Sequence, residues 1–142
     1  GDHIAGLQFQ VVGGVARHHG LAQVEWDQHR AQLARVKALD GGVVLSVGSA
    51  IMAPQVFEKS LSCVNNLRLQ AGRGVVRGHS IDVVDLQDGG GWDWTKGEPP
   101  KDNPAYYLRF CKSFSRMGAV LHYLQCDNLA FIHHLHDRLV RP

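Results

Sequence analysis

The sequence predicts an α/β layered domain with a mainly parallel sheet, and three observations point there. Short, almost wholly apolar runs alternate with longer amphipathic stretches. Glycine or Asn-Pro signals mark most of the junctions, and no internal repeat or linker divides the 142 residues, so residues 1–142 read as one domain. Strands separated by helix-length segments, rather than by tight hairpins, join side by side through crossovers.

Each element follows in order. Residues 22–39 set Val24, Leu33, Val36 and Leu39 among Glu25, Asp27, Arg30, Arg35 and Lys37, the pattern of an amphipathic helix. Asp40-Gly41-Gly42 ends it, because glycine tolerates the left-handed conformation found past helix C-termini. Val43-Val44-Leu45-Ser46-Val47 suits a strand covered on both faces. Gly48-Ser49-Ala50 forms a small-residue turn, and Pro54 suits the first turn of a helix carrying Val56, Phe57, Leu61, Val64 and Leu67. Gly72-Arg73-Gly74 interrupts, and Ser80–Leu86 reads as a second strand. After an irregular stretch from Asp88 to Asn103, Asn103-Pro104 opens a helix with Tyr107, Leu108, Cys111 and Phe114 on one face. Gly118 stops that helix, Val120–Leu124 reads as a third strand, and Asp127 caps a final helix running to Leu139.

Composition narrows the function classes. With 44% hydrophobic and 20% charged residues the chain is not of the disordered type. A net charge of +2, with scattered basic residues, gives no nucleic-acid footprint. No apolar stretch reaches the roughly 18 residues of a membrane span. Cys63, Cys111 and Cys126 are odd in number and without paired spacing, which fits a reducing cytoplasm. The chain opens Gly1-Asp2-His3 with no Met, so it reads as a processed chain or a fragment of a longer protein.

In open α/β sheets, ligands bind beyond the carboxyl ends of the strands, at a switch point in strand order. Gly48–Pro54, Asp88–Asn103 and Gln125–Asp127 are the loops so placed. Gly48-Ser49-Ala50 either brings backbone amides to a phosphate at a helix N-terminus or is an ordinary tight turn. It matches neither the dinucleotide fingerprint nor the Walker sequence. The long loop joins Trp92, Asp93, Trp94 and Glu98 to the triglycine Gly89–Gly91. Carboxylates beside aromatic faces suit a cation or polyamine; equally, Trp92 and Trp94 suit anchors holding the loop to its own domain or to a partner chain. Lys112 follows Cys111 near Phe110, so partial burial would free its amine for imine chemistry, whereas a lone helical lysine is ordinarily a solvated surface residue. His122, Cys126, His133, His134 and His136 match no zinc spacing, so no metal is expected.

Taken together, the stretch from about residue 27 to 139 resembles the C-terminal part of deoxyhypusine synthase and its bacterial deoxyhypusine synthase-like relatives. Residues 85–118 are nearer to those relatives than to the synthase itself. Asp40-Gly41-Gly42-Val43-Val44-Leu45-Ser46-Val47-Gly48-Ser49-Ala50 looks like the family's strand and glycine turn, and Pro54 through Asn65-Asn66-Leu67 like the helix after it. Residues Gly91 to Pro100 occupy the place of the family's Gly-Ser-Asp-Ser-Gly-Ala-Arg-Pro loop. Pro104 to Lys112 sits where the enzyme's helix ends in Trp-Gly-Lys, so Lys112 matches the lysine that forms the enzyme-bound imine and Phe110 the aromatic residue before it. Gln125-Cys126-Asp127-Asn128-Leu129 resembles a segment whose aspartate helps bind NAD. Two departures stand out: the family's Lys-His pair reads Gln55-Val56, and the acid preceding its lysine appears as Tyr106 or Tyr107.

The resemblance implies a Rossmann-like fold, NAD as cofactor, and aminobutyl transfer from a polyamine. On that reading Lys112 is catalytic, and Gly48, Ser49 and Asp127 bind cofactor. Asp93, Glu98, Trp92, Trp94 and Phe110 line the polyamine site, in a homo-oligomer without nucleic-acid or membrane partners. The alternative is a non-catalytic α/β domain serving ligand binding or oligomerisation.

Overall fold

A computed structural model of the chain describes residues 30–48 and 52–140. The expected helix therefore begins outside the described residues, as do Ser49 and Ala50. Residues 30–37 are helical (α1) and bury Val36, Leu39 is buried just past the helix end, and Leu33 packs at the edge of the core. Strands β1 (Val43–Val47), β2 (Ser80–Asp85) and β3 (Val120–Gln125) form a three-stranded sheet in the order β1-β2-β3. Both pairings are parallel, with Val44 beside Ile81 and Ile81 beside Leu121. Helices α2 (Met52–Gln70), α3 (Arg109–Ser115) and α4 (Asn128–Val140) complete the alternation. The expected α/β layering is the observed one. Strand order runs in one direction among the described residues, so the reversal that makes a switch point does not occur within them.

Strand residues alternate between faces, and the two faces fare differently. Val44, Ile81, Val83 and Leu121 point to the side where Phe57, Leu61 and Val64 of α2 meet Phe110, Cys111 and Phe114 of α3 in one core. Burying each large apolar side chain there contributes roughly 1.5–3 kcal/mol. Crossovers on one face are what right-handed connections give when strand order advances steadily. The opposite face carries Val43, Leu45, Asp82, Val84, His122 and Leu124. Phe131 and Leu135 of α4 stand over it and leave a half-open cavity of about 430 Å³. No residue of α4 is buried. The run Val43–Val47 is thus sealed on one side and half covered on the other.

Polar contacts fix the ends of the elements. Arg68 in the last turn of α2 binds Asp40 in two contacts of 3.0 and 2.5 Å and donates to the Lys37 carbonyl at 2.7 Å, tying α2 to the end of α1. Asp40 also accepts the Arg77 amide at 3.0 Å. The stretch expected as one helix from Pro104 divides in two. Pro104–Tyr107 is a 3-10 turn capped by Asn103, whose side chain accepts the Ala105 amide. Leu108 then leaves helical geometry (φ −75°, ψ 77°) before α3 begins at Arg109. The break keeps Ala105, Leu108, Phe110 and Cys111 all in the core, which one straight helix with a single buried stripe would not do.

Candidate functional site

The segment between β2 and α3 is built from local caps. Asp88 Oδ1 accepts the Gly90 amide at 2.9 Å. Asp93 caps the 3-10 turn Trp94–Lys96 by accepting both the amide (3.1 Å) and the hydroxyl (2.6 Å) of Thr95, and it pairs with Lys96 at 3.5 Å. These bonds, the Thr95 hydroxyl first, hold the Asp93 carboxyl below its ordinary range. The two tryptophans separate. Trp94 is 2% exposed and belongs to the core, while half-buried Trp92 donates from its indole nitrogen to the Gly97 carbonyl at 2.9 Å. Trp94 therefore offers no free face to a ligand, and Asp93 is committed to its own turn.

Glu98, at the far end of the loop, behaves differently. Its Oε1 lies 3.1 Å from Lys112 Nζ, and its Oε2 accepts from Arg116 at 2.6 Å. Lys112 Nζ also stands 3.4 Å from the centre of the Tyr106 ring. The Lys112 side chain is 17% exposed, so this ammonium is largely withdrawn from water. Burial alone pushes its pKa down, as the strongest single influence. The Glu98 carboxylate and the Tyr106 side chain together outweigh it and hold the lysine above its ordinary range. Reciprocally, Arg116 first and Lys112 second hold Glu98 below the usual carboxylate range. The resting cluster is an ammonium held between a carboxylate and an aromatic face.

The break at Leu108 makes this possible. Tyr106 and Lys112 are six residues apart, which in a continuous α-helix would turn them about 120° away from each other. Sequence reading singled out Lys112 and Glu98, and the structure brings these two together. It did not single out Arg116, although Arg116 lies four residues after Lys112, the spacing that puts two side chains on one helix face. Phe110 is placed elsewhere: it is 6% exposed and its ring lies 6.3 Å from that of Tyr123.

The residues expected to meet a cofactor lie where β1 ends and α4 begins. Gly48 (φ +72°) donates its amide to the Val84 carbonyl at 3.2 Å. A Cβ there would stand 2.6 Å from Asn128 Nδ2, a side-chain end that can turn aside, so it is the left-handed φ that favours glycine here. Asp127 Oδ1 caps α4 through the Ala130 amide at 2.9 Å, and the residue is exposed. Ser49 lies outside the described residues. The arrangement fits a ribose hydroxyl at the exposed Asp127 carboxylate. It does not present a free Gly48 amide to a phosphate.

Among the described residues no three His, Cys, Asp or Glu side chains converge on a metal-sized space. His122 Nδ1 meets Asp82 at 2.8 Å, and His133 and His136 both face Asp137. Cys111 is wholly buried and its thiol is pushed up to about 12, chiefly by burial, which suits packing rather than nucleophilic chemistry. No family model, curated protein or solved structure matches the chain.

Proposed function

We propose that this chain is a deoxyhypusine synthase-like transferase domain that moves an aminobutyl group from a polyamine through an imine at Lys112, with NAD as cofactor. The observation that carries the reading is the Lys112 amine, mostly withdrawn from water and lodged between Glu98 and Tyr106. It sits on a helix whose other inward side chains, Phe110, Cys111 and Phe114, are apolar. NAD, when bound, would supply the hydride chemistry, the oxidation of a secondary amine to an imine and the reduction of the final imine. Asp127, whose carboxylate is exposed, would hold its ribose; the resemblance adds Ser49 and Gly48, the latter without its amide, which is donated to the Val84 carbonyl. Lys112 Nζ then adds to the imine carbon. The bond from that carbon to the departing diamine breaks, a proton leaves with the diamine, and the aminobutyl group stays on Lys112 as an imine. Asp93, Trp92 and Glu98 lie on the loop that would meet the rest of the polyamine. A cytoplasmic oligomer suits this reading. The free thiols of Cys63, Cys111 and Cys126, and the exposed Leu129, Ile132, Leu139 and Val140 on α4, support it.

A second reading is favoured by Arg116, which shares Glu98 with Lys112 and makes the trio a tie between loop and helix. On that reading the domain is non-catalytic. Incubation with spermidine and NAD followed by borohydride separates the two. A mass adduct at Lys112, absent from Lys112→Ala and from Lys96 and Lys101, supports the transferase. A chain that forms no adduct at Lys112 is the non-catalytic domain.

A further inference from the structure

Glu98 and Tyr106 make a site whose chemistry is that of an alkylammonium receptor, and the cation now in it is the protein's own. A carboxylate oxygen at 3.1 Å and a ring face at 3.4 Å are the two contacts such a cation seeks. Arg116, 66% exposed, grips the other carboxylate oxygen from the solvent side. Glu98 therefore stays in position whether or not Lys112 is present.

We propose that Lys112 occupies this site only as a placeholder, and that the terminal ammonium of a diamine or polyamine enters by displacing it and thereby frees the lysine amine. The exchange is balanced in charge and in hydrogen bonding. One ammonium leaves Glu98 and another arrives, so the carboxylate keeps a cation on each of its two oxygens. Once displaced, Lys112 loses both contacts that hold its proton and stands beside a second ammonium, whose like charge favours the neutral amine. Substrate entry thus converts a protected ammonium into a nucleophile. Because Lys112 is tethered beside the site, it competes at a high effective concentration, and a free diamine displaces it only at concentrations on the order of millimolar. What the freed amine attacks rests on the transferase reading; the exchange itself does not.

Acetylation by N-hydroxysuccinimidyl acetate at neutral pH, read lysine by lysine by mass spectrometry, tests the exchange. The probe is tetramethylputrescine, whose tertiary ammonium groups retain an N–H for Glu98 and form no stable amide with the reagent. In the chain alone Lys112 should react far more slowly than Lys101. The diamine should raise the Lys112 rate about tenfold, as for a fall of one pKa unit, and leave Lys37, Lys59, Lys96 and Lys101 unchanged. Glu98→Gln should raise the Lys112 rate without any diamine, and Tyr106→Leu should raise it less. Arg116→Ala, which leaves the Glu98–Lys112 contact in place, should keep it slow. If Glu98→Gln unfolds the chain, all five lysines accelerate together, and Tyr106→Leu with the diamine then decides. A Lys112 rate unmoved by the diamine overturns the proposal, even where Glu98→Gln raises it. Borohydride trapping fails independently: a diamine-responsive Lys112 that forms no adduct with spermidine and NAD keeps the exchange and removes the transferase.

Discussion

The two faces of the sheet are made from similar residues and reach different ends. On the side of α2 and α3, Ile81 and Leu121 are at most 1% exposed, and Phe114 lies against Phe57 with ring centres 6.3 Å apart. On the side of α4, Leu124 and Val120 remain about half exposed at 49% and 50%. Each face also carries a histidine. His79 is buried on the packed side beside Phe57, with neither ring nitrogen hydrogen-bonded, while His122 on the open side is oriented by Asp82. The packed face therefore holds the stability of the described domain, and the open face leaves its polar groups available to solvent.

Truncation should break the comparison most sharply. Phe114→Ala removes a ring that is 1% exposed from the middle of the core and should cost about 3–5 kcal/mol in urea unfolding. Leu129→Ala, at a side chain 77% exposed on α4, should change stability by less than about 0.5 kcal/mol. Equal losses at the two positions would mean that α4 is as firmly packed as α3.

The histidines sharpen the contrast. Burial pushes the His79 pKa down, so the folded protein keeps the ring neutral while the unfolded chain takes up a proton more readily. Stability is then full above the ordinary imidazole value near 6.5 and falls as the pH drops below it. His79→Leu should remove that part of the pH dependence from a series of thermal melts. It should cost little at neutral pH, since a buried ring without partners gives up no hydrogen bond. His122→Ala should leave the neutral-pH melting temperature nearly unchanged, because its pair with Asp82 is half exposed.

Much of this fold was legible in the sequence, and the reason is local. The runs at 43–47 and 120–124 are apolar, the segment from Ser80 is marked by Ile81, Val83 and Val84, and the glycines between them punctuate a chain whose helices end where expected. What was not legible depends on long-range choices. Val43–Val47 is apolar at four of five positions, which suits two covered faces, and nothing within it shows that α4 covers the second face only in part. Trp92 and Trp94 look equivalent in sequence, yet one enters the core and the other bonds the Gly97 carbonyl. Asp93 and Glu98, five residues apart, looked like two halves of one cation site. Asp93 instead satisfied the nearest turn, and Glu98, with no turn of its own to cap, reached across to α3. Tyr106 could meet Lys112 only through the break at Leu108, whose neighbours read as continuous helix.

The smallest expected effect lies on neither face but at the shoulder where α1, α2 and the approach to β2 meet. Asp40 accepts from Arg68 and from the Arg77 amide, and these contacts, the Arg68 hydrogen bond foremost, lower its pKa to about 2. A carboxylate held below its ordinary value of about 3.9 stabilises the fold above that value, and the contribution disappears as the pH falls from there toward 2. The Asp40 side chain is 50% exposed, so solvent and salt screen the pair, and its worth stays at the scale of surface ion pairs, about 1 kcal/mol or less. Asp40→Asn should therefore lower the melting temperature slightly at neutral pH. The gap from the parent chain should close by pH 2 and shrink in high salt, where the Arg77 amide bond alone remains. A gap that persists undiminished in acid would mean that the hydrogen bonds Asp40 accepts hold the shoulder by their geometry, with its charge irrelevant.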